Sequence, residues 1–238
     1  MAPIGLTGSM FSFTSFSLIF FFNGSDSVSV AALKFFLGKC LITSVTKKIP
    51  KQTKKEFLLN DDNAIPFFFE YGKKNKENKV RIITSYGNID IELFVDTPYH
   101  RANFIYLTKN KYFEGEYFHR VVKDFIIQGG NSDNISTSKK RRKIGRYLLP
   151  PDTKKGHKHH RGIISMPSSE IENPYKLASP YEFFIVKKKD GAYHLDKNYT
   201  AFGKVIKGMK VVDKISNLET DKREWPLDNV RFKIEIIQ

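Results

Sequence analysis

Residues 112–130, "YFEGEYFHRVVKDFIIQGG", carry the most informative pattern of this 238-residue chain. Two short apolar runs lie on either side of charged residues, and a Gly-Gly pair ends the second run. Such runs, bounded by turn residues, predict two strands, at residues 118–122 and 125–128. Arg120 stands directly before one run, although a guanidinium is rarely buried without a partner. Gln128, eight residues later, is a candidate for that partner.

The composition suits a folded protein with a sizeable core. Hydrophobic residues make up 40% of the chain and aromatic residues 14%, and the length allows one large domain plus extra segments. The net charge of +15 comes from small scattered clusters, which favours a lysine-rich solvated surface over a nucleic-acid or anionic membrane partner. The only cysteine, Cys40, excludes an intramolecular disulfide and leaves the compartment open.

Residues 1–56 are expected to form an N-terminal extension that contains a possible targeting segment and a lysine-rich linker. The apolar run at 11–22 is too short for a membrane span. No Lys or Arg precedes it, whereas a signal peptide is expected to begin with a positively charged region. A second apolar patch covers residues 30–42, and the true start of the protein could lie near it. Residues 46–56 are polar and rich in lysine, which is typical of a linker.

A short helical lead-in is expected at residues 57–77. Asp61 or Asp62 is a candidate N-cap, Pro66 suits the first turn, and Gly72 is expected to end the helix. These signals predict a helix over residues 63–71.

The following segment predicts a hairpin and a helix. Apolar and polar residues alternate towards the end of residues 79–95, with a turn expected at residues 86–88. Thr97 is a candidate N-cap for a helix that runs from Pro98 to Asn110.

The rest of the chain predicts more short strands, at residues 162–166, 183–186, 201–206 and 230–237, and one short helix at residues 209–215. Many short strands with two or three helices are typical of an antiparallel barrel or sandwich. A closed barrel is favoured because it leaves no exposed sheet edge.

Three segments carry a resemblance to a known family. "FHRVVKDFIIQGG" (118–130) resembles the signature of the cyclophilin family of peptidyl-prolyl cis-trans isomerases, and "RGIISMPSS" with "SPYEFFIV" and "HLDKNYTAFGKVIKGMKVVDKI" follow in the same order. The resemblance covers about residues 78–238 and implies a mainly β fold, a closed eight-stranded antiparallel barrel capped by two helices. "QGGNSDN", "EIENP" and the basic insert are similar to bacterial members, so the bacterial cytoplasm or periplasm is expected, depending on the N-terminal apolar segment.

The resemblance also implies the site. Arg120 would be catalytic with Phe125 and Gln128, and the expected substrate-binding residues are Ile126, Ser168, Glu182, Phe184, His194, Leu195 and Tyr199. Five of these positions differ from the family's usual residue. Glu182 stands in place of a glutamine, Ser168 in place of an asparagine, His194 in place of a tryptophan, Ile126 in place of a methionine and Tyr199 in place of a histidine. The changes at Glu182, Ser168 and His194 put substrate preference in doubt. They leave a second hypothesis open, a binding or scaffold module for proline-containing segments.

The implied chemistry explains an arginine at this position. An X-Pro bond crosses a barrier of about 18–20 kcal/mol because its C–N double-bond character is lost on twisting. A guanidinium can stabilise the twisted amide better than the planar one, which is the condition for catalysis. The reaction needs no metal and no cofactor, and His119 is not expected to act as a general base because no proton is transferred.

Two charged motifs have simpler interpretations. "HKHH" (157–160) could bind a metal, but a basic loop is favoured because no cysteine or carboxylate lies near it in the sequence. "KKRRK" (139–143) is expected to be a solvated insert and not a nucleic-acid patch. The expected partners are proline-containing polypeptides, with no specific nucleic acid, membrane contact only through the N-terminal segment, and a monomeric state.

Overall fold

The computed structural model describes the backbone of Leu18–Phe22, Ser27–Phe36 and Lys39–Lys48, and the whole of residues 57–168 and 173–238. The chain divides into two compact units, Met1–Glu56 and Phe57–Gln238.

The first unit contains a three-stranded antiparallel sheet. Its strands are β1 (Leu18–Phe22), β2 (Ser27–Phe36) and β3 (Lys39–Lys48), paired in that order. The sequence patterns assigned no strand here, and the linker prediction is wrong for residues 46–48, which belong to β3. Strand pairing uses backbone groups, so lysines at the end of β3 do not prevent it. The remaining linker residues, 49–56, and residues 11–17 of the apolar run lie outside the described residues.

The second unit is a closed barrel of eight antiparallel strands, as predicted. The strands pair in the order β10-β5-β4-β11-β6-β7-β9-β8, and β8 pairs with β10 to close the barrel. Their bounds are β4 (Lys79–Thr84), β5 (Gly87–Leu93), β6 (Glu116–Val122), β7 (Ile126–Asn131), β8 (Ile163–Ser165), β9 (Phe183–Val186), β10 (Ala201–Lys207) and β11 (Arg231–Ile236).

Four helices accompany the barrel within the described residues: α1 (Ala64–Lys74), α2 (Pro98–Lys109), α3 (Ile135–Ile144) and α4 (Met209–Ser216). The sequence predicted α1, α2 and α4 but missed α3, which contains the basic insert. Only Thr137 and Ile144 of α3 are buried, so the helix lacks the apolar stripe that would reveal it. No helix in the described part of the chain is long and apolar enough to cross a membrane.

The glycine at the end of the predicted lead-in helix has a different role from the one expected. Gly72 lies inside α1, where a Cβ would come within 3.3 Å of Ala102 on α2. Arg101, also on α2, donates from Nη2 to the carbonyl of Gly72 over 3.0 Å. Glycine therefore allows two helices to pack closely, and the N-cap position is Asn63, not Asp61 or Asp62.

Other local predictions differ from the structure in detail. The hairpin turn lies at residues 85–86, one position earlier than expected. Thr97 occupies the N-cap position of α2 as predicted, but its side chain makes no capping hydrogen bond, and its hydroxyl donates to the carbonyl of Phe94 over 3.2 Å. The Gly-Gly pair belongs to β7 and does not end the strand. At Gly130, where φ is +100°, a Cβ would lie 2.3 Å from the carbonyl oxygen of Tyr181.

The apolar side chains form two clusters. The larger one fills the barrel and is rich in buried phenylalanines, including Phe104, Phe113, Phe118, Phe183 and Phe202. The smaller one contains Ile126, Ile163, Phe184, Val186, Ala192, Leu195 and Ala201. Phe125 and Tyr199 pack against this smaller cluster, which underlies the candidate site.

Candidate active site

Three neighbouring strands align the central residues of the site. Arg120 on β6 is the register partner of Gln128 on β7, and Gln128 is in turn the partner of Phe184 on β9. The β6 register skips His119, because Phe118 pairs with Gly129 and Arg120 with Gln128. An extra residue of this kind is a β-bulge, which changes the direction in which the following side chain projects.

These strands form one side of a cavity of about 520 Å³. Nine of the ten predicted site residues line this cavity, and Glu182 is the exception. The nine are Arg120, Phe125, Ile126, Gln128, Ser168, Phe184, His194, Leu195 and Tyr199. Pro167 and Asn198 also line the cavity and were not predicted as site residues. Their positions next to Ser168 and Tyr199 were the signal that could have identified them.

The apolar part of the cavity is built from the smaller core cluster. Phe184 is 3% exposed, and Ile126 and Leu195 are also buried. Tyr199 meets the ring of Phe184 edge-on, with centroids 5.8 Å apart. His194 stacks on Phe125 at 5.5 Å, so an aromatic ring still covers this wall.

The polar rim centres on Arg120. Its Nε–H donates to Oε2 of Glu224 over 2.6 Å, whereas Nη1 lies 3.5 Å from Oε1 of Gln128. Glu224 was not predicted. It stands 104 residues from Arg120, so no local motif contains both.

Glu182 lies behind the cavity wall, although it was expected to touch the substrate. It is 17% exposed and its Oε2 accepts a hydrogen bond from Nε2 of Gln128 over 3.0 Å. Its carboxylate also lies 3.5 Å from Nε2 of His119 and 3.7 Å from Nη2 of Arg141. Burial raises the pKa of Glu182, but the contacts with His119, Gln128 and Arg141 outweigh it and leave that pKa below its usual value. Glu182 is therefore an ionised carboxylate near neutral pH.

Arg141 shows that the basic insert is only partly solvated. Its Nε donates to the hydroxyl of Tyr112 over 2.9 Å, and Lys140 donates to Oε1 of Glu116 over 2.7 Å. Arg142, by contrast, is exposed. The prediction of a solvated insert is wrong for Lys140 and Arg141, because α3 directs these two of the five basic side chains at buried acceptors.

The histidines of residues 157–160 each have a separate partner. His157 lies 2.9 Å from Asp96, and His160 lies 2.9 Å from the hydroxyl of Tyr193. His159 is buried behind Phe184, with its Nδ1 2.8 Å from Asp196. Burial lowers the pKa of His159, partly opposed by Asp196. Among the described residues, no group of three or more His, Cys, Asp or Glu side chains could hold a metal ion.

The arrangement is suited to binding and polarising a substrate. The apolar part of the cavity wall can accept a compact apolar ring, while the guanidinium at the rim can donate hydrogen bonds to an adjacent amide. Neither property requires a nucleophile.

Comparison with known proteins identifies similar proteins for most of the second unit. Residues 79–235 match the family model described as cyclophilin type peptidyl-prolyl cis-trans isomerase/CLD. The peptidyl-prolyl cis-trans isomerase-like 2 protein of Rhizopus delemar is 38% identical over 167 residues, which cover 69% of this chain and 30% of that relative. The chain thus spans less than a third of that protein.

Two further proteins are covered almost completely. Peptidyl-prolyl cis-trans isomerase-like 3 of Dictyostelium discoideum is 33% identical over 65% of this chain and 91% of its own length. A crystal structure of a Cryptosporidium parvum cyclophilin type peptidyl-prolyl cis-trans isomerase, determined in the presence of the dipeptide Ala-Pro, superposes with a TM-score of 0.56 at 32% identity. That match covers 67% of this chain and 99% of the other.

Proposed function

This chain belongs to the cyclophilin-type peptidyl-prolyl cis-trans isomerase family, and on this premise we propose that it accelerates X-Pro isomerisation with Arg120 as its catalytic residue. The proposed substrates are proline-containing segments of folding or flexible polypeptides. One observation carries the proposal: the Arg120 guanidinium lines the same cavity as the apolar side chains of Phe184 and Leu195.

The cavity supplies the binding energy. Ile126, Phe184 and Leu195 offer a buried apolar surface for a proline ring. Burying a medium-sized apolar side chain is worth about 1.5–3 kcal/mol, so the ring can anchor a peptide whose other residues remain outside. Anchoring the ring leaves the preceding carbonyl as the part that rotates.

The guanidinium supplies the transition-state stabilisation. When the amide is twisted by about a quarter turn, the prolyl nitrogen regains the lone pair that resonance withdraws in the planar amide. An N–H of Arg120 can donate to that lone pair, and it has no equivalent acceptor in the planar ground state. The interaction is therefore stronger in the transition state, and this difference lowers the barrier.

Gln128 supports both steps. Its Oε1 faces Nη1 of Arg120 and its Nε2 donates to Glu182, so one of its two amide hydrogens is left for a substrate carbonyl. Phe125, which stacks on His194, adds an aromatic surface to the cavity wall.

A peptide isomerisation assay tests the proposal. The cis-to-trans rate of a short Xaa-Pro peptide is measured with increasing wild-type protein, and peptide binding is measured in parallel. We expect a rate that rises in proportion to protein concentration. Peptide binding without any acceleration would contradict the proposal and support the binding-module hypothesis instead.

A further inference from the structure

The shortest contact of the proposed catalytic guanidinium is with a residue that the proposed function does not use. Nε of Arg120 lies 2.6 Å from Oε2 of Glu224, a distance typical of a strong charge-assisted hydrogen bond. The contact with Gln128, at 3.5 Å, is long for a hydrogen bond. Glu224 is therefore the dominant partner of Arg120 among the described residues.

The backbone of Glu224 is held against the same strand. Its carbonyl accepts the backbone N–H of Val121, the residue after Arg120, over 2.7 Å. Glu224 thus contacts two consecutive residues of β6, one through its side chain and one through its main chain. It adopts a φ of +65°, in the left-handed region that non-glycine residues seldom occupy, and such a conformation persists only where the surroundings enforce it.

The loop that carries Glu224 provides those surroundings. The backbone N–H of Leu227 donates to the carbonyl of Glu219 over 2.9 Å and closes the base of the loop. The carboxylate of Asp221 accepts the backbone N–H groups of Arg223 and Trp225, on either side of Glu224. These hydrogen bonds hold the Glu224 carboxylate at one place relative to β6.

Stability is a weak explanation for this pair. The side chains of Arg120 and Glu224 are 42% and 40% exposed, and exposed ion pairs contribute about 0–1 kcal/mol. Orientation is a better explanation, because an arginine side chain has about 2 kcal/mol of rotamer entropy to lose before it can donate in a defined direction. Arg120 lines the cavity and Glu224 does not. Glu224 therefore binds Nε of Arg120 without occupying the cavity.

We propose that Glu224 is a positioning residue, which holds Nε of Arg120 so that the Nη groups face the bound X-Pro bond. This inference rests on the proposed isomerase activity and adds a residue to it. The benefit is preorganisation: the donor already points to the place where the lone pair develops and needs no reorientation during the reaction.

Three variants test the proposal. Glu224→Ala removes the acceptor, Glu224→Gln keeps a carbonyl oxygen without the charge, and Glu219→Ala makes the same alanine change at an exposed position of the same loop. We expect Glu224→Ala to lower kcat by about three- to tenfold with little change in KM, and Glu224→Gln to restore most of the rate. Glu219→Ala should match wild type.

A double-mutant cycle separates positioning from a structural effect. If Glu224 acts through Arg120, adding Glu224→Ala to Arg120→Ala should cause no further loss, because the residue to be positioned is gone. The proposal would be overturned if Glu224→Ala lowered the rate by the same factor in the Arg120→Ala background as in wild type. It would also be overturned if the Glu224→Ala variant were as fast as wild type or faster.

One measurement does not depend on catalysis. The Nε–H of Arg120 has an NMR signal that should shift and exchange faster with water in Glu224→Ala, but not in Glu219→Ala. An unchanged signal would refute the contact itself. If wild type lacks isomerase activity but the signal responds as expected, the proposed function fails while the contact between Glu224 and Arg120 stands.

Discussion

Gln128 donates from Nε2 to Oε2 of Glu182 over 3.0 Å, and this contact determines which end of the Gln128 amide faces the cavity rim. An ionised carboxylate can only accept hydrogen bonds, so the amide nitrogen must point towards Glu182 and the amide oxygen towards Arg120. A glutamine at position 182 could donate or accept, so only the long contact with Arg120 would favour this orientation. The departure from the family's usual residue therefore preserves the relation between the amide and the arginine.

Glu182→Gln should make the protein less stable at neutral pH and less sensitive to acid. The pKa of Glu182 is lowered in the folded state from 4.5, so its contribution is present above about pH 4.5 and is lost as the pH falls through the folded-state pKa. The melting temperature of the variant should lie a few degrees below wild type at pH 6, since about 1 kcal/mol corresponds to 2–4 °C in a domain of this size. The difference should shrink at pH 3.5. A difference that stays constant with pH would argue against this role of the charge, and Glu219→Gln serves as the exposed control.

Arg120→Ala should lower the isomerisation rate by at least tenfold, which corresponds to about 1.4 kcal/mol of transition-state stabilisation. Peptide affinity should change less, because the apolar walls formed by Ile126, Phe184 and Leu195 remain. The rate is measured with a short X-Pro peptide and the affinity by titration. Arg142→Ala, an exposed arginine on α3, is the matched control and should keep the wild-type rate. A fully active Arg120→Ala variant would exclude the arginine mechanism.

His119→Ala should remain largely active, within about threefold of wild type. His119 lies 3.5 Å from Glu182 and does not line the cavity, and rotation about an amide bond transfers no proton. For the same reason the wild-type rate should vary little between pH 6 and 8, where an arginine keeps its charge, and should not fall on addition of a chelator. A bell-shaped pH profile or loss of activity with a chelator would show that a general base or a metal takes part.

His100→Leu should reduce the loss of stability in mild acid. His100 is fully buried in α2, and neither ring nitrogen has a hydrogen-bond partner among the described residues. Burial lowers its pKa from 6.5 to about 3, so below pH 6.5 the unfolded state binds a proton that the folded state refuses. The resulting loss approaches about 1.4 kcal/mol per pH unit. Denaturant titrations at pH 8 and pH 5 should show that the free energy of unfolding changes less with pH in the variant than in wild type. An equal change in the two proteins would contradict the assignment.

A chain that begins at Phe57 should fold and retain activity. Leu59 is buried, and its N–H and C=O bond to the backbone of Ile144 and Arg146 over 2.8 and 3.0 Å. A truncation at residue 57 keeps these contacts, whereas one at residue 64 removes Leu59 and should lower stability by about 2–5 kcal/mol, as large apolar losses do. Both are compared by melting temperature. Failure of the longer fragment to fold would show that residues 1–56 contribute to the second unit.

Local sequence signals were reliable where both interacting residues lie in one short segment. Residues 118–130 hold Arg120 and Gln128 on two strands joined by a tight turn, so antiparallel pairing alone brings them together. The same signals predict the end of a helix at Gly72 and the end of a strand at the Gly-Gly pair, and both predictions are wrong. Glycine favours the end of an element when backbone freedom is needed, but at these positions it also provides space for another element, and Gly130 adopts its φ of +100° within a strand. The sequence does not distinguish the two uses, because the second element lies elsewhere in the chain.

From the sequence alone, periodicity and turn signals predicted the strands of the second unit and a closed barrel, and the resemblance to a known family implied the apolar residues of the cavity wall. The carboxylates that face the polar residues are evident only in the folded chain, because Glu224 lies 104 residues from Arg120 and Glu182 lies 54 from Gln128. A hydrogen bond acts over about 3 Å, so such pairs form only where folding brings the side chains together. Closure of the barrel, together with the left-handed backbone at Glu224, brings these distant side chains within that range.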